Sequence, residues 1–258
     1  MSGDVTVWGL VASLTLIGVA LVVSAGRGLG LGRSILWATL RAAVQLLAVG
    51  LALAVTLESS RSLAISWVWI GFMIAFAALV VRQRVPEVPR ATLLAATAMG
   101  ASAVVSLTVL FGLGIFPLEA RALIPMAGMV VGNSMTATVV ASRRIVAELA
   151  DKRDEVEARL ALGQRGSTAA QPYVRSALRT ALTPQIETTK AVGIVALPGA
   201  MTGLILAGVD PIDAVRVQAA VMYLILGSVA TTVAVVALGL TRQLFTEDHR
   251  LVRLTRSE

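Results

Sequence analysis

Six runs of this chain, at residues 5–26, 63–81, 91–118, 122–142, 191–209 and 217–241, carry no charged side chain, and a seventh at 34–57 is interrupted only by Arg41. An α-helix rises about 1.5 Å per residue and the hydrocarbon core of a bilayer is about 30 Å thick, so each run is near or above the length of a spanning helix. Inside lipid the backbone must satisfy its own polar groups, which a helix does within one segment. These runs predict an all-α integral membrane protein of the cell membrane, with seven transmembrane helices embedded in the lipid bilayer.

Composition narrows the chemistry. Hydrophobic residues make up 57% of the chain and aromatics only 4%, so the apolar content is Ala, Val and Leu, the usual filling of membrane helices. The net charge of +7 does not point to nucleic acid, because the arginines sit at the ends of apolar runs and no aromatic-rich basic domain is left over. The absence of cysteine removes disulfides, thiolate metal sites and cysteine nucleophiles, and the single histidine, His249, lies in a polar tail. No ligand set for a metal can be assigned.

Lysine and arginine set the orientation. With the N-terminus outside, the cytoplasmic segments hold Arg27, Arg33, Arg82, Arg84, Arg90, the arginines and lysine between Arg143 and Arg179, and Arg242, Arg250, Arg253 and Arg256. Only Arg61, Arg121 and Arg216 fall outside, while Arg41 and Lys190 lie within or at the edge of helices. The expectation is N-terminus out, C-terminus in, and a single permease-like domain over residues 1–258 with a cytoplasmic loop at 148–185. A cleaved leader is not expected, since Asp4 is the only charge before the first apolar run.

Asn133, the only asparagine, falls one residue from the middle of the 122–142 run. Lipid cannot satisfy a carboxamide, so the side chain should face an aqueous path or bond a neighbouring helix. Helical spacing puts Met126, Met129, Asn133 and Thr136 on one face, which suits a translocation path but equally suits packing. Gly128 and Gly132, and again Gly199 and Gly203, form GxxxG spacings that read as close helix contacts. Pro198 should weaken the sixth span at mid-depth, with Met201 beside it. Arg41 and Gln45 share a face of the second span, and Arg41 is near enough to its end to snorkel. Glu187 and Lys190 should enter the sixth span as a structural pair.

The loop at 148–185 begins with charge and continues with an amphipathic stretch that Gly163 should stop. Ser167 is a candidate cap for a second helix, which Pro184 should close before the membrane. A short helix shown to the cytoplasm can dock a soluble partner or lie on anionic lipid. No nucleotide-binding loop is present: the two lysines, Lys152 and Lys190, precede Arg and Ala, and GRGLGLG at 26–32 follows no strand and reads as a turn.

The segments IPMAGMVVGNSMTATVVASRR, EARLALG, VGIVALPGAMTGLILAG and RAAVQLLAVG together resemble the FetB (YbbM) type of ABC-transporter permease and the plant aluminium-sensitivity membrane proteins similar to it. The resemblance covers essentially the whole chain. It implies a permease, expected as a homodimer, that pairs with a separate cytoplasmic ATPase carrying ATP and Mg, and it implies iron export in the bacterial branch and aluminium tolerance in the plant branch. EARLALG, from Glu157 through Ala158 and Arg159 to Gly163, also resembles the start of the coupling loop of ABC importer permeases, with Arg159 in place of the second alanine. No cofactor and no catalytic residue are expected in this chain, so it is not expected to be an enzyme. A stand-alone secondary transporter or channel is the other reading, and the lack of Asp or Glu away from the ends of the spans counts against proton coupling.

Overall fold

The computed structural model describes residues 7–58, 62–194, 197–246 and 250–252. Nine helices are found among them: α1 (Val7–Gly26), α2 (Gly32–Glu58), α3 (Ser62–Arg84), α4 (Ala91–Gly112), α5 (Ala120–Asp151), α6 (Arg153–Ala161), α7 (Gly166–Ala191), α8 (Gly199–Leu206) and α9 (Pro211–Gln243). Five of these, α2 to α5 and α9, are long and apolar enough to cross a membrane, and α1 is a shorter apolar helix. The all-helical membrane architecture therefore holds. His249, Arg61, Arg253, Arg256 and residues 195–196 of the sixth run lie outside the described residues.

The chain forms two compact units, residues 1–62 with 206–208, and 63–205 with 209–258. The first is the α1–α2 hairpin. Its GRGLGLG link is a turn, as expected, with Gly28 (φ 64°) and Gly30 (φ 67°) in the left-handed region that glycine enters without a Cβ clash. Ser24 is buried under this turn, and its hydroxyl accepts a hydrogen bond from the Leu31 N–H at 3.1 Å.

The second unit is built on α4, α5 and α9, which pack on one another, with α7 laid along both α5 and α9. The seam is made of small residues: Ala95, Ala98, Ala127, Ala141 and Ala177 are fully buried. Without a hydrophobic driving force between helices in lipid, close backbone approach and dispersion must hold such a seam. Two apolar clusters result, one around Met99, Ile145, Leu149 and Leu240, the other around Leu107, Leu123, Val130 and Val221. Helix α9 starts on Pro211, and the Asp210 carboxylate accepts the Ile212 N–H at 2.8 Å, a side-chain cap where the helix needs one.

Three expectations change. Residues 191–209 are not one helix: α7 ends at Ala191, Gly193 (φ 92°) turns the chain, and α8 has only 8 residues before Gly208 (φ 89°). At about 12 Å, an α8 of that length cannot span a bilayer. Pro198 consequently does not kink a helix; it stands just before α8, and its carbonyl accepts the Thr202 N–H at 3.1 Å. The 148–185 segment holds the two expected helices, α6 up to Gly163 and the first part of α7, after α5 runs on past Arg143 and Arg144 to Asp151. Ser167 is not a cap, since α7 begins at Gly166 after Arg165 with no side-chain cap bond. Pro184 does not close that helix either; it lies inside α7 on an exposed face.

Candidate functional site

The expected path face lies on α5. Met126 is buried in the second apolar cluster and Met129 packs against it. Asn133 is half-buried, and its amide donates to the Met129 carbonyl of its own helix at 2.8 Å rather than to a neighbour. Thr136 is exposed and donates back to Gly132 at 3.3 Å. These residues share a face as the period requires. Pro198 and Met201 belong to neither apolar cluster. Gly128 does serve close packing, because a Cβ there would meet the Met73 methyl at 3.2 Å, whereas Gly132, Gly199 and Gly203 face open space.

A second polar feature of α5 was not anticipated. Ser134, the residue after Asn133 and about 100° round the helix, joins Ser102 of α4 at 3.0 Å and receives the Thr232 hydroxyl of α9 at 2.8 Å. Ser102 also bonds the Ser228 carbonyl at 2.9 Å, and all four residues are fully buried. This neutral hydroxyl node ties the three central helices together at the level of Asn133. Its sequence signal was the four-residue spacing of Ser134, Thr138 and Ser142, and of Ser228 and Thr232, which reads as ordinary small residues until the helices are docked.

The expected coupling residues sit on α6. Val156 is fully buried, while Glu157, Ala158 and Leu162 are exposed. Arg159 lies over the Tyr173 ring at 5.8 Å, a cation–π contact onto α7. The helix ends as expected at Gly163 (φ 84°), whose N–H reaches the Leu160 carbonyl at 2.9 Å while the Gln164 N–H reaches Arg159 at 3.2 Å. Glu155 anchors the arrangement: Lys152 contacts it at 2.8 Å and the Tyr173 hydroxyl donates to it at 2.8 Å. Those two bonds, Lys152 first, hold its carboxyl below the usual carboxylate range. Tyr173 is pushed up, first by desolvation and then by the bond to Glu155.

The chain after α9 closes the same end. Phe245 pairs with Leu251 in an antiparallel bridge, and Arg153 donates to the Leu251 carbonyl at 3.2 Å. Gly166, the first residue of α7, sits so close to Phe245 that a Cβ would lie 2.6 Å from the ring. Nearby, Arg143 of α5 donates twice to the Arg84 carbonyl, at 2.7 and 3.2 Å, and so satisfies the exposed end of α3.

Glu187 and Lys190 do pair, at 2.9 Å, but on the last two turns of α7. Arg41 is exposed on α2. A cavity of about 550 Å³ between α3 and α4 is lined by Trp67, Gly71, Gly100, Val104 and Phe111 and is almost wholly apolar, so it offers nothing to a charged solute. Among the described residues no group of three or more His, Asp or Glu side chains is placed to hold a metal ion.

Comparison with known proteins agrees with this architecture. The family described as "Uncharacterised protein family (UPF0014)" matches residues 7–245. The rice UPF0014 membrane protein STAR2 is 37% identical over 84% of this chain and 76% of its own length. The Arabidopsis thaliana Protein ALUMINUM SENSITIVE 3 is 32% identical over 84% and 79%. The Escherichia coli probable iron export permease protein FetB is 31% identical over 97% and 96%. No solved structure matches the chain. With a family match over nearly its full length and the helices to cross a bilayer several times, this chain belongs to the UPF0014 family and is a multi-pass membrane protein.

Proposed function

We propose that this chain is the membrane-spanning permease subunit of an ABC-type transporter, docked through α6 to a separate cytoplasmic ATPase that binds ATP and Mg. The observation that carries the reading is α6 itself. It is a nine-residue helix pinned by Val156 and Arg159 and ended by a left-handed glycine, with Ala158 and Leu162 exposed beside the Arg153–Glu157 ion pair. A helix so held transmits a push to α7 and α5 as a rigid body. The likeness to FetB, whose name specifies iron export, favours a metal or metal-related solute moved outward.

In this reading the N-terminus is outside and the C-terminus inside, following the lysine and arginine bias. Two copies of the permease form the conduit. Seven crossings remain the count if the end of α7 together with α8 serves as a discontinuous sixth. Met126, Met129, Asn133 and Thr136 face the solute path, with Pro198 and Met201 at the break.

The test is co-purification of a tagged chain with a P-loop ATPase in mild detergent. Binding should be lost on Gly163→Pro and on deletion of residues 157–163. Metal transport by the purified chain in liposomes without any ATPase would overturn the proposal and favour a stand-alone secondary transporter. That second reading draws support from one observation, the exposed Glu187 carboxylate near the end of α7.

A further inference from the structure

Near its C-terminal end α7 carries an exposed ion pair, Glu187 with Lys190. Helix α7 starts against Phe245, just beyond the C-terminus of α9, and packs back along α5 and α9. Its register on α5 is given by Ser176, whose hydroxyl donates to Glu148 at 3.3 Å. From Glu148 the uncharged run of α5 begins six residues back, at Ser142, about 9 Å along the axis. From Ser176, Lys190 lies fourteen residues on, about 21 Å. Lys190 is therefore about 12 Å, and Glu187 about 7 Å, beyond the level where the uncharged run of the neighbouring helix begins.

The packed face of α7 confirms the direction of travel. Ala170, Val174, Ala177 and Ala181 are buried, and Gln185 and Thr189 continue that stripe half-buried. The opposite face carries Thr183, Glu187 and Lys190, all exposed. Glu187 and Lys190 are 60% and 67% exposed, so at this depth the protein itself does not cover them. Ionised groups at hydrocarbon depth are costly against lipid and belong on a water-filled cavity. Directly after them the helix breaks at Gly193, and interrupted backbone is tolerated at membrane depth only where protein or water covers it.

We infer that the Thr183–Glu187–Lys190 face of α7 is the polar wall of a water-filled passage within the membrane, and that Glu187 is its cation-binding carboxylate. The donor on offer is the Glu187 carboxylate, since the Thr183 hydroxyl is bonded to the Arg179 carbonyl at 2.8 Å, and a carboxylate suits a hard, oxygen-preferring metal cation rather than a soft one. Lys190 holds the carboxylate in the empty site, and an incoming cation displaces its ammonium. Discontinuous helices with polar groups at the break are how many transporters build such sites. This rests on the permease reading and names a solute contact for it.

The test exploits the absence of native cysteine. Thr183→Cys is made in the full-length chain in proteoliposomes and challenged with a membrane-impermeant maleimide, with Val104→Cys on the exposed apolar face of α4 as control. Thr183→Cys is expected to react and Val104→Cys to stay unlabelled. Added Mn²⁺ should slow the labelling of Thr183→Cys, and Glu187→Gln should remove that protection while Glu187→Asp retains it. Labelling of Thr183→Cys no faster than the control would overturn the passage, and Mn²⁺ protection that survives Glu187→Gln, or no protection at all, would overturn the cation site. A Thr183→Cys variant that labels and is protected while no ATPase co-purifies would leave this inference standing and remove the ABC assignment instead.

Discussion

Helices α2 and α5 are both long and apolar, yet they are used in opposite ways. In its most apolar stretch α2 has no buried residue, whereas half of the corresponding stretch of α5 is buried. The difference lies in what each helix presents. The α2 surface is Leu40, Leu46, Leu47 and Leu51, side chains that suit acyl chains. The α5 surface offers Ala127, Ser134, Ala137 and Ala141, small enough for backbones to approach and polar enough to bond across helices. Hydropathy therefore says that a helix enters lipid, and side-chain size and hydroxyl placement say whether it meets protein there.

The contrast can be attacked most directly at the hydroxyl node. Ser134→Leu should destabilise strongly, because it inserts bulk worth about 1–3 kcal/mol into a filled seam and removes the bonds to Ser102 and Thr232, worth about 0.6–2 kcal/mol more, leaving those hydroxyls only the Ser228 carbonyl. Leu47→Ala on α2, 70% exposed, should shift the detergent melting curve little. A melting temperature equally sensitive to both would mean the node is not what holds the bundle.

A glycine pair sharpens the same point with a smaller expected effect. A Cβ at Gly239 of α9 would collide with Leu94 of α4, while one at Gly50 of α2 meets nothing within 4 Å. Gly239→Ala should lower the unfolding midpoint. Gly50→Ala should leave it unchanged or raise it, by up to about 1 kcal/mol of helix propensity. Reversal of that order in parallel melts would show that α2 is packed and the seam is loose.

Acid separates the node, which is neutral, from the α6 cap, which is ionic. The folded Glu155 carboxyl titrates below its ordinary value of 4.5. Its contribution is thus complete above that value and is lost as pH falls through the lowered folded one. Lys152 is raised above its ordinary 10.5, first by the bond to Glu155, so its share is present below 10.5 and is lost only as pH rises past the folded value. Hydrogen-exchange protection factors at Val156 to Leu160 should be lower at pH 3 than at pH 7 while those around Ser134 hold. An equal fall at both places would remove the distinction.

The smallest stability effect is expected at Asn133. Its amide bonds only its own helix, so Asn133→Leu should cost no more than about 0.6 kcal/mol. Transport by the assembled complex should nevertheless fall, if this face meets the solute. Unchanged flux would return Asn133 to packing.

Much of the fold was legible because the relevant physics is local. Helix and membrane follow from run length, the GRGLGLG turn follows from the glycines, and the stop at Gly163 follows from a backbone position that glycine alone takes without strain. The site was less legible for a physical reason that Glu187 illustrates. From its run of neighbours it stands at the edge of a sixth span; in the fold it lies on the last turns of a helix that begins at Gly166 and continues through Pro184, packed on α5 and α9. Ser134 is the same lesson, a small residue in the chain and a three-helix junction in the fold.

What the amino-acid order determined by itself is that this chain lives in a bilayer as helices, since the cost of exposing backbone and charge to hydrocarbon acts on each segment alone. Which faces meet lipid, where the sixth run breaks and how deep a carboxylate sits were decided only by tertiary packing, because each depends on the register of one helix against another.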